Sequence, residues 1–498
     1  MSHRPFRLYD TMTRQVKELV PATPGHLKFY SCGPTVYSYA HIGNFRTFLT
    51  ADLIIRTATA LGWQVDYVSN ITDVGHLTSD DQDSGEDKME KGLKSKEGEQ
   101  FANVWELAEY YADCFKADWV RLNLKRPLVW PRATQHMREQ IVAAEKLIET
   151  GHAYETPTGV YYRVGSFAGY GKLSGNVDRD ELITGSREVV LDDNKEHPAD
   201  FALWKKDEKH LMQWYSPWGW GFPGWHLECS VMAMAYLGET LDLHAGGEDL
   251  IFPHHECEIA QSEALTGKPF ARHWIHSRFL QVDGQRMSKS LGNFFTVRDL
   301  VEGKGADPLA LRYALISQSY SVPHNFTMDL LRDATQKVER YRQCDEKARK
   351  ALTNPSEPNT AAETFVESLC DLYDEVLDAM CDNLNTSVAL AKSLEGTRVI
   401  LRESALDVTM AEAALQFLGQ INDLLGIVSH EEAQVESVAG ESVVDPEQIE
   451  RMIAQRADAK ASKRFAEADA IRDELAEMGI ELRDTPEGTT WKKRGPSL

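Results

Sequence analysis

The sequence predicts an α/β protein: a Rossmann-type parallel-sheet domain with a connective insertion, then an α-helical bundle and a small mixed α/β C-terminal domain. Three observations predict it. Residues 27–70 read strand, glycine-bearing turn, helix, strand, a βαβ unit that requires parallel pairing. A second run of sheet signals, 241–282, encloses a helical stretch at 255–265. After Asp307-Pro308 apolar residues recur at helical spacing through most of the remaining chain.

Each element has a local reason. Residues 28–31 alternate as a short strand; Phe45, Phe48, Leu49, Leu53, Ile55 and Ala58 share a helix face; Gly62 ends that helix; Val65, Tyr67 and Val68 open the next strand. The stretch 127–217, with turn clusters at 156–159 and 169–175, reads as the insertion in a domain covering 1–300. Asp307 is a natural N-cap and Pro308 suits the first helical position, so a bundle is expected over 301–430. Its apolar faces are marked by Leu331, Ala334, Val338 and Tyr341, by Phe365, Leu369, Leu372 and Val376, and by Leu415, Leu418, Ile421 and Leu425. Residues 431–447 are an acidic, weakly apolar linker. The domain at 448–498 has a helix over 467–478, Gly479 as its C-cap, and two strands around a turn at 484–488.

Composition bounds the function. With 42% hydrophobic and 26% charged residues, the chain has the balance of a soluble globular protein, and its 498 residues exceed what one core organises. No apolar run is long enough to span a membrane, and residues 1–16 lack the pattern of a secretory signal, so a cytoplasmic address is expected. The seven cysteines are odd in number and scattered, which favours free thiols or metal ligands over disulfides. A formal net charge of −23 opposes nucleic-acid binding, but the charge is uneven: 431–450 has no Lys or Arg, whereas 332–350 is rich in them.

Two segments suit a nucleotide. The turn Gly33-Pro34-Thr35-Val36-Tyr37-Ser38-Tyr39-Ala40-His41-Ile42-Gly43-Asn44 feeds a helix whose N-terminal amides and dipole favour phosphate, with His41 and Asn44 donating to the same side. Far along the chain, Arg286-Met287-Ser288-Lys289-Ser290-Leu291-Gly292-Asn293 offers two cations to offset charge developing on phosphate. Elsewhere, Phe252-Pro253-His254-His255-Glu256-Cys257-Glu258 puts His254 and Glu258 at i and i+4, and thiols stand at Cys32 and Cys229. Spacing alone does not join those cysteines to one another. A metalloprotease motif is excluded, because Ile259 stands where its second histidine belongs.

Together the turn and the cationic loop resemble the HIGH and KMSKS signatures of the class I aminoacyl-tRNA synthetases, with Asn44 in place of His and Arg286 in place of Lys. That resemblance implies that His41, Gly43, Asn44 and Lys289 bind ATP, and that His41, Asn44, Arg286 and Lys289 stabilise the attack of a carboxylate on the α-phosphate. The segments at Cys32, 224–230 and 252–258 are similar to those of the cysteinyl-tRNA synthetases. Their likeness implies that Cys32, Cys229, His254 and Glu258 hold one Zn2+ ion and that Trp225 and Thr72 line the amino-acid pocket. It also implies ATP with Mg2+, L-cysteine and tRNA-Cys as partners, a monomer, no membrane, and a bundle that contacts the tRNA stem. Asp469 and Asp484 then match anticodon-reading positions, with Phe465 and Lys460 where the family carries Trp and Arg. Zinc selection of thiolate over alcohol would make an editing domain unnecessary. Two alternatives stay open: a mycothiol-pathway cysteine ligase, which lacks the anticodon domain, and a non-catalytic tRNA-binding paralogue. The polar stretch 74–100 departs from shorter family members and has no assigned role.

Overall fold

The computed structural model describes residues 4–75, 77–79, 84–175, 194–288 and 291–430, part of 452–475, and 480–485 and 488–493. Residues up to His430 form one unit and those from Glu431 a second. The first opens with an antiparallel hairpin, β1 (Arg7–Asp10) and β2 (Gln15–Glu18). Next come β3 (His26–Ser31), α1 (Ile42–Ala60) and β4 (Gln64–Ser69), the expected βαβ unit, with β3 and β4 parallel from His26 opposite Gln64 to Ser31 opposite Ser69. The polar stretch forms a small hairpin, β5 (Leu77–Ser79) and β6 (Ser84–Asp87), and a short helix, α2 (Lys88–Leu93). α3 (Val104–Arg121) then leads towards the insertion.

The insertion is built from α4 (Met137–Glu149) and an antiparallel sheet of β7 (Ala153–Glu155), β8 (Gly159–Tyr162), β9 (Phe201–Lys206), β10 (Trp214–Ser216) and β11 (Gly219–Pro223). Its limits differ from 127–217 at both ends. Leu128 N–H donates to the Tyr67 carbonyl and Ile71 N–H to that of Pro131, so residues 128–132 line β4 and belong to the main sheet's edge. At the other end the turn after Ser216 is the tip of the β10–β11 hairpin, and the sheet runs on to Pro223. A Pro/Gly turn signal marks hairpin tips and domain exits alike.

The chain returns through α5 (Trp225–Leu237), β12 (Leu243–Gly247), α6 (Glu256–Thr266) and β13 (Trp274–Ser277). These strands complete a four-stranded, all-parallel sheet in the order β13-β12-β3-β4. The order in which strands are added reverses between β3 and β12, and the crevice outside their carboxyl ends is where such sheets bind ligands. β14 (Leu280–Val282) and β15 (Gln285–Arg286) form a hairpin, followed by α7 (Val297–Val301) and α8 (Pro308–Ile316), which Asp307 caps through the amides of Leu309 and Ala310. Residues 301–430 are not wholly helical. β16 (His324–Phe326) returns to pair with β14 before the bundle of α9 (Met328–Thr353), α10 (Ala362–Cys381), α11 (Thr386–Arg402) and α12 (Val408–Leu425). Among the described residues no helix is long and apolar enough to cross a membrane.

In the second unit β17 (Ile480–Thr485) and β18 (Gly488–Lys493) pair antiparallel, with Thr485 opposite Gly488 and Asp484 opposite Thr489. Asp469, Phe465, Gly479, the 431–447 linker and most of the expected helix at 467–478 lie outside the described residues.

The amphipathic pattern of α1 underestimates its burial. Between the sheet on one side and α8 and α12 on the other, the helix also buries Arg46, Asp52 and Arg56. Asp52 accepts from Arg56 Nε at 2.8 Å, from the Lys125 amide at 2.6 Å, and from Arg312 of α8. The two guanidiniums then terminate α12: Arg56 donates to the carbonyls of Asn422 and Asp423, both at 3.0 Å, and Arg312 to that of Leu425 at 2.7 Å. Helix C-termini leave such carbonyls unpaired and negatively polarised, so the cations suit them. Burial opposes ionisation of Asp52, but Arg312 and Arg56 outweigh it and hold its pKa below the ordinary value. The resulting stability is present above the unfolded pKa of about 3.9 and is lost as pH falls through the folded one. Asp52→Asn should therefore cost about 3–5 kcal/mol in urea unfolding at pH 7. Its deficit relative to the parent should narrow below about pH 4.

Candidate active site

Leaving β3, the chain crosses the end of β4 at Gly33, where a Cβ would lie 1.7 Å from the Asn70 carbonyl oxygen. Only glycine permits that approach. The Gly33 amide donates to Asn70 Oδ1 at 2.8 Å. His41 then caps α1 in a reciprocal arrangement: its Nδ1 accepts from the Asn44 amide at 3.1 Å, while Asn44 Oδ1 accepts from the His41 amide at 3.0 Å. Each side chain spends an acceptor on the backbone. The neutral His41 ring must therefore carry its hydrogen on Nε2, and Asn44 keeps its amide hydrogens as donors. Burial lowers the His41 pKa to about 4, so the ring is neutral at pH 7.

The cationic loop closes against this helix start. Ile42 N–H donates to the Phe295 carbonyl at 3.0 Å, and Phe294 meets the His41 ring edge-on with centroids 5.2 Å apart. A Cβ on Gly43 would come within 2.7 Å of Met287 Cε and 2.9 Å of His41 Nδ1. Asn293 folds the loop on itself, accepting from Ser288 N–H at 2.9 Å and donating to the Arg286 carbonyl at 3.2 Å. Arg286 ends β15 with its side chain exposed, and Lys289 lies outside the described residues.

Beside the turn, Cys32, Cys229, His254 and Glu258 converge, all buried, with one potential ligand atom from each inside a span of 4.8 Å. Cys32 follows β3, Cys229 lies on α5, His254 precedes α6 and Glu258 is in its first turn. The two sulfurs are 3.8 Å apart, Cys32 Sγ is 3.6 Å from Glu258 Oε1, and His254 Nε2 is 2.9 Å from that same oxygen. Cys257 points elsewhere, towards the Tyr170 hydroxyl at 3.4 Å.

Three histidines surround the four. His244 Nε2 donates to Glu258 Oε2 at 2.8 Å, His226 shares a 3.0 Å hydrogen bond with His254 Nδ1, and His255 Nε2 lies 3.3 Å from Cys32 Sγ. Cys32, His244, His255 and Glu258 also fall within 4.8 Å of one another. Both sets share Cys32 and Glu258 and so describe one centre. The set with Cys229 contains two thiols, the softer donors, and so suits a soft or borderline metal ion better than the other; His244 and His255 stand beside it, against Glu258 and Cys32.

At this centre buried groups of opposite charge stabilise one another. Burial opposes ionisation of Glu258, yet His244 and His254 bring it down to about 2. Burial also opposes a charge on His254, but Glu258 and Cys229 raise it to about 10. A hydrogen bond with Cys32 brings Cys229 to about 7 against its burial. A divalent cation would pair with the same anionic groups.

Trp225 opens α5, with its ring centroid 4.2 Å from that of His254. Thr72 donates to buried Glu228 at 3.1 Å and accepts from Asn70 at 3.1 Å, so its hydroxyl is committed to the floor of the site. Sequence reasoning assigned no role to His226, His244, Glu228 or Asn70. His226 had a signal, since it shares a helix face with Cys229; His244 is one strand residue among apolar neighbours and had none.

Fold and site together define a class I aminoacyl-tRNA synthetase. Residues 18–336 match the model of the class I (C) tRNA synthetase catalytic domain, and 446–491 that of the cysteinyl-tRNA ligase anticodon binding domain. Among solved structures, methionyl-tRNA synthetase of Mycobacterium tuberculosis aligns over 85% of this chain and 95% of its own, with a TM-score of 0.58 at 14% identity. A leucyl-tRNA synthetase of Agrobacterium radiobacter gives 0.58 at 11% identity, covering 85% of this chain and 86% of its own; at such identities the likeness concerns the fold. Cysteine-tRNA ligase of Salinibacter ruber is 50% identical over 98% of both chains, and that of Chlorobaculum tepidum 42% identical over 98% of this chain and 99% of its own. The chain belongs to the cysteine-tRNA ligase family, and is an enzyme of the ligase class.

The contact of Met287 and His41 with Gly43 gives a test. Gly43→Ala should displace the loop and the ring at a cost of about 1–3 kcal/mol in stability, because the added carbon crowds the His41 cap as well as the flexible tip of Met287. ATP–pyrophosphate exchange should fall by at least about tenfold, since displacements of an ångström are costly to catalysis.

Proposed function

We propose that the chain activates L-cysteine with ATP as cysteinyl adenylate and transfers it to the 3′ end of tRNA-Cys, with zinc held by Cys32, Cys229, His254 and Glu258. The observation that carries this reading is the convergence of those four buried side chains from distant parts of the sequence. The donor set fits the ion. Tetrahedral zinc, with Zn–S bonds of about 2.3 Å, holds two sulfurs about 3.8 Å apart; here they stand at 3.8 Å. Bound there, zinc supplies a Lewis acid that takes a thiolate and has far less affinity for the serine hydroxyl.

The protein's own groups do the rest. His41 Nε2–H, the Asn44 amide and the Gly43 backbone at the start of α1 hold ATP phosphate. Arg286 and Lys289, on the loop that folds over Gly43, offset negative charge as the cysteine carboxylate attacks the α-phosphate and pyrophosphate leaves. Mg2+ accompanies ATP. Trp225 walls the amino-acid pocket and Thr72 positions Glu228 beneath it. Asp469 and Asp484 read the anticodon, and a cytoplasmic monomer is the working form. The match at 446–491 favours tRNA over a sugar amine as acceptor, because ligases of the mycothiol pathway lack that domain.

Pyrophosphate exchange with L-cysteine should exceed exchange with L-serine by more than the roughly hundredfold that pocket shape gives. Equal rates would end this reading. Cys229→Ser should lower zinc content by elemental analysis and raise the KM for cysteine. His244→Phe, which removes a support of Glu258 and no ligand, should weaken zinc binding by about 10–100-fold in chelator competition.

A further inference from the structure

Part of the polar stretch that carries no role in the sequence is fixed rigidly against the active site. Asp87 caps α2 by accepting from the Glu90 amide at 2.7 Å, and its other oxygen meets His210 Nε2 at 3.1 Å. His210 comes from the insertion and stacks on Phe222 with centroids 4.0 Å apart. Met89 is fully buried in the core. Gly92 packs so closely on the turn before α1 that a Cβ would lie 2.7 Å from the Tyr37 carbonyl oxygen. Between these anchors stands Lys88, half-buried, with its ammonium 5.1 Å from the centroid of the Trp225 ring. That ring is itself 4.2 Å from the ring of His254.

The geometry points to Lys88 as the residue that binds the α-carboxylate of the substrate cysteine. This rests on the proposal that the substrate sulfur enters the cluster at Cys32, Cys229, His254 and Glu258. The reach is right. The two ring separations put the Lys88 ammonium no more than about 9 Å from the centre of the His254 ring, within reach of a metal–sulfur bond of about 2.3 Å, the three bonds from sulfur to the carboxylate carbon and an ammonium–carboxylate contact of about 2.8 Å.

The charge balance also favours a further cation, because the charge of a zinc ion would already be met by Cys32, Cys229 and Glu258. Glu228 and Glu258 are both fully buried at the site, and a third carboxylate brought beside them is repelled unless a positive group meets it. Lysine suits the task because its ammonium is a compact charge with rotatable donors. Paired with one carboxylate oxygen, it leaves the other to attack the α-phosphate. The anchors serve the same end: a long flexible side chain places its charge well only when its backbone is held, and α2 is held from the core, the insertion and the nucleotide turn.

Three proteins decide it: the parent, Lys88→Met, which keeps the length of the side chain, and Lys88→Arg, which keeps the charge. Each is titrated calorimetrically, in its zinc-loaded form, with L-cysteine and with cysteamine, which has the thiol and amine but no carboxylate. Lys88→Met should weaken L-cysteine binding by about tenfold or more, the worth of a charge-assisted hydrogen bond, and leave cysteamine within about twofold of the parent. In pyrophosphate exchange its KM for cysteine should rise while its KM for ATP stays put, and Lys88→Arg should recover much of the loss. Cysteine binding within twofold of the parent overturns the assignment. So does an equal loss for cysteamine, which would mark Lys88 as mere support for Trp225. Failure of the cluster reading appears separately: a parent that binds L-serine as tightly as L-cysteine removes the thiol anchor from which the reach of Lys88 is measured.

Discussion

Glu258 has no exposure to solvent, and a carboxylate at that depth must be surrounded by groups that replace water. Its ionisation costs several kcal/mol unless hydrogen bonds and opposite charge make good the lost hydration. His244 and His254 do so, one from β12 and the other from the turn before α6. His254 meets it through local spacing, but His244 reaches it only from its place on β12, and the register of β12 with β3 brings the loop holding Cys32 to the same edge. The order of the sheet and the chemistry of the site are thus one constraint. The crevice lies where the strand order reverses between β3 and β12, as expected for open parallel sheets.

Much of this could be read from residues near one another in the chain. The βαβ unit at 27–70, the Asp307-Pro308 cap and the meeting of His254 with Glu258 each depend on spacings of a few residues, which periodicity and capping rules capture. What spacing cannot supply is which loops share an edge of the sheet. Cys32 and Cys229, 3.8 Å apart in space, were joined only through resemblance to known synthetases, and His244 was invisible because a single histidine in a strand has no pattern. The ends of the insertion were misplaced for a related reason: whether a glycine-proline turn leaves a sheet or doubles back depends on pairing partners far along the chain. The return of β16 to β14 is a long-range pairing of the same kind, hidden inside a region whose dominant signal is helical.

The capping of α1 by His41 shows how the two ends of the catalytic domain meet. The same ring nitrogen that closes the first turn decides which nitrogen carries the hydrogen, so helix geometry and donor placement are set together. The loop that includes Arg286 rests on that turn through Met287, Phe294 and Phe295, although well over two hundred residues separate them. The small side chain of Gly43 is what allows the approach.

The buried arginines reach beyond stability. α12 does not end on a cap of its own alone: three of its final carbonyls are bound by Arg56 and Arg312, which come from α1 and α8. A bundle excised as a fragment starting after α8 would lose both partners and leave the Asp423 and Leu425 carbonyls without them, with the apolar face of α12 stripped of α1 as well. The helical half of this unit is therefore not a detachable module: cutting the chain between α8 and α9 would yield a piece stripped of both cations that hold the end of its last helix.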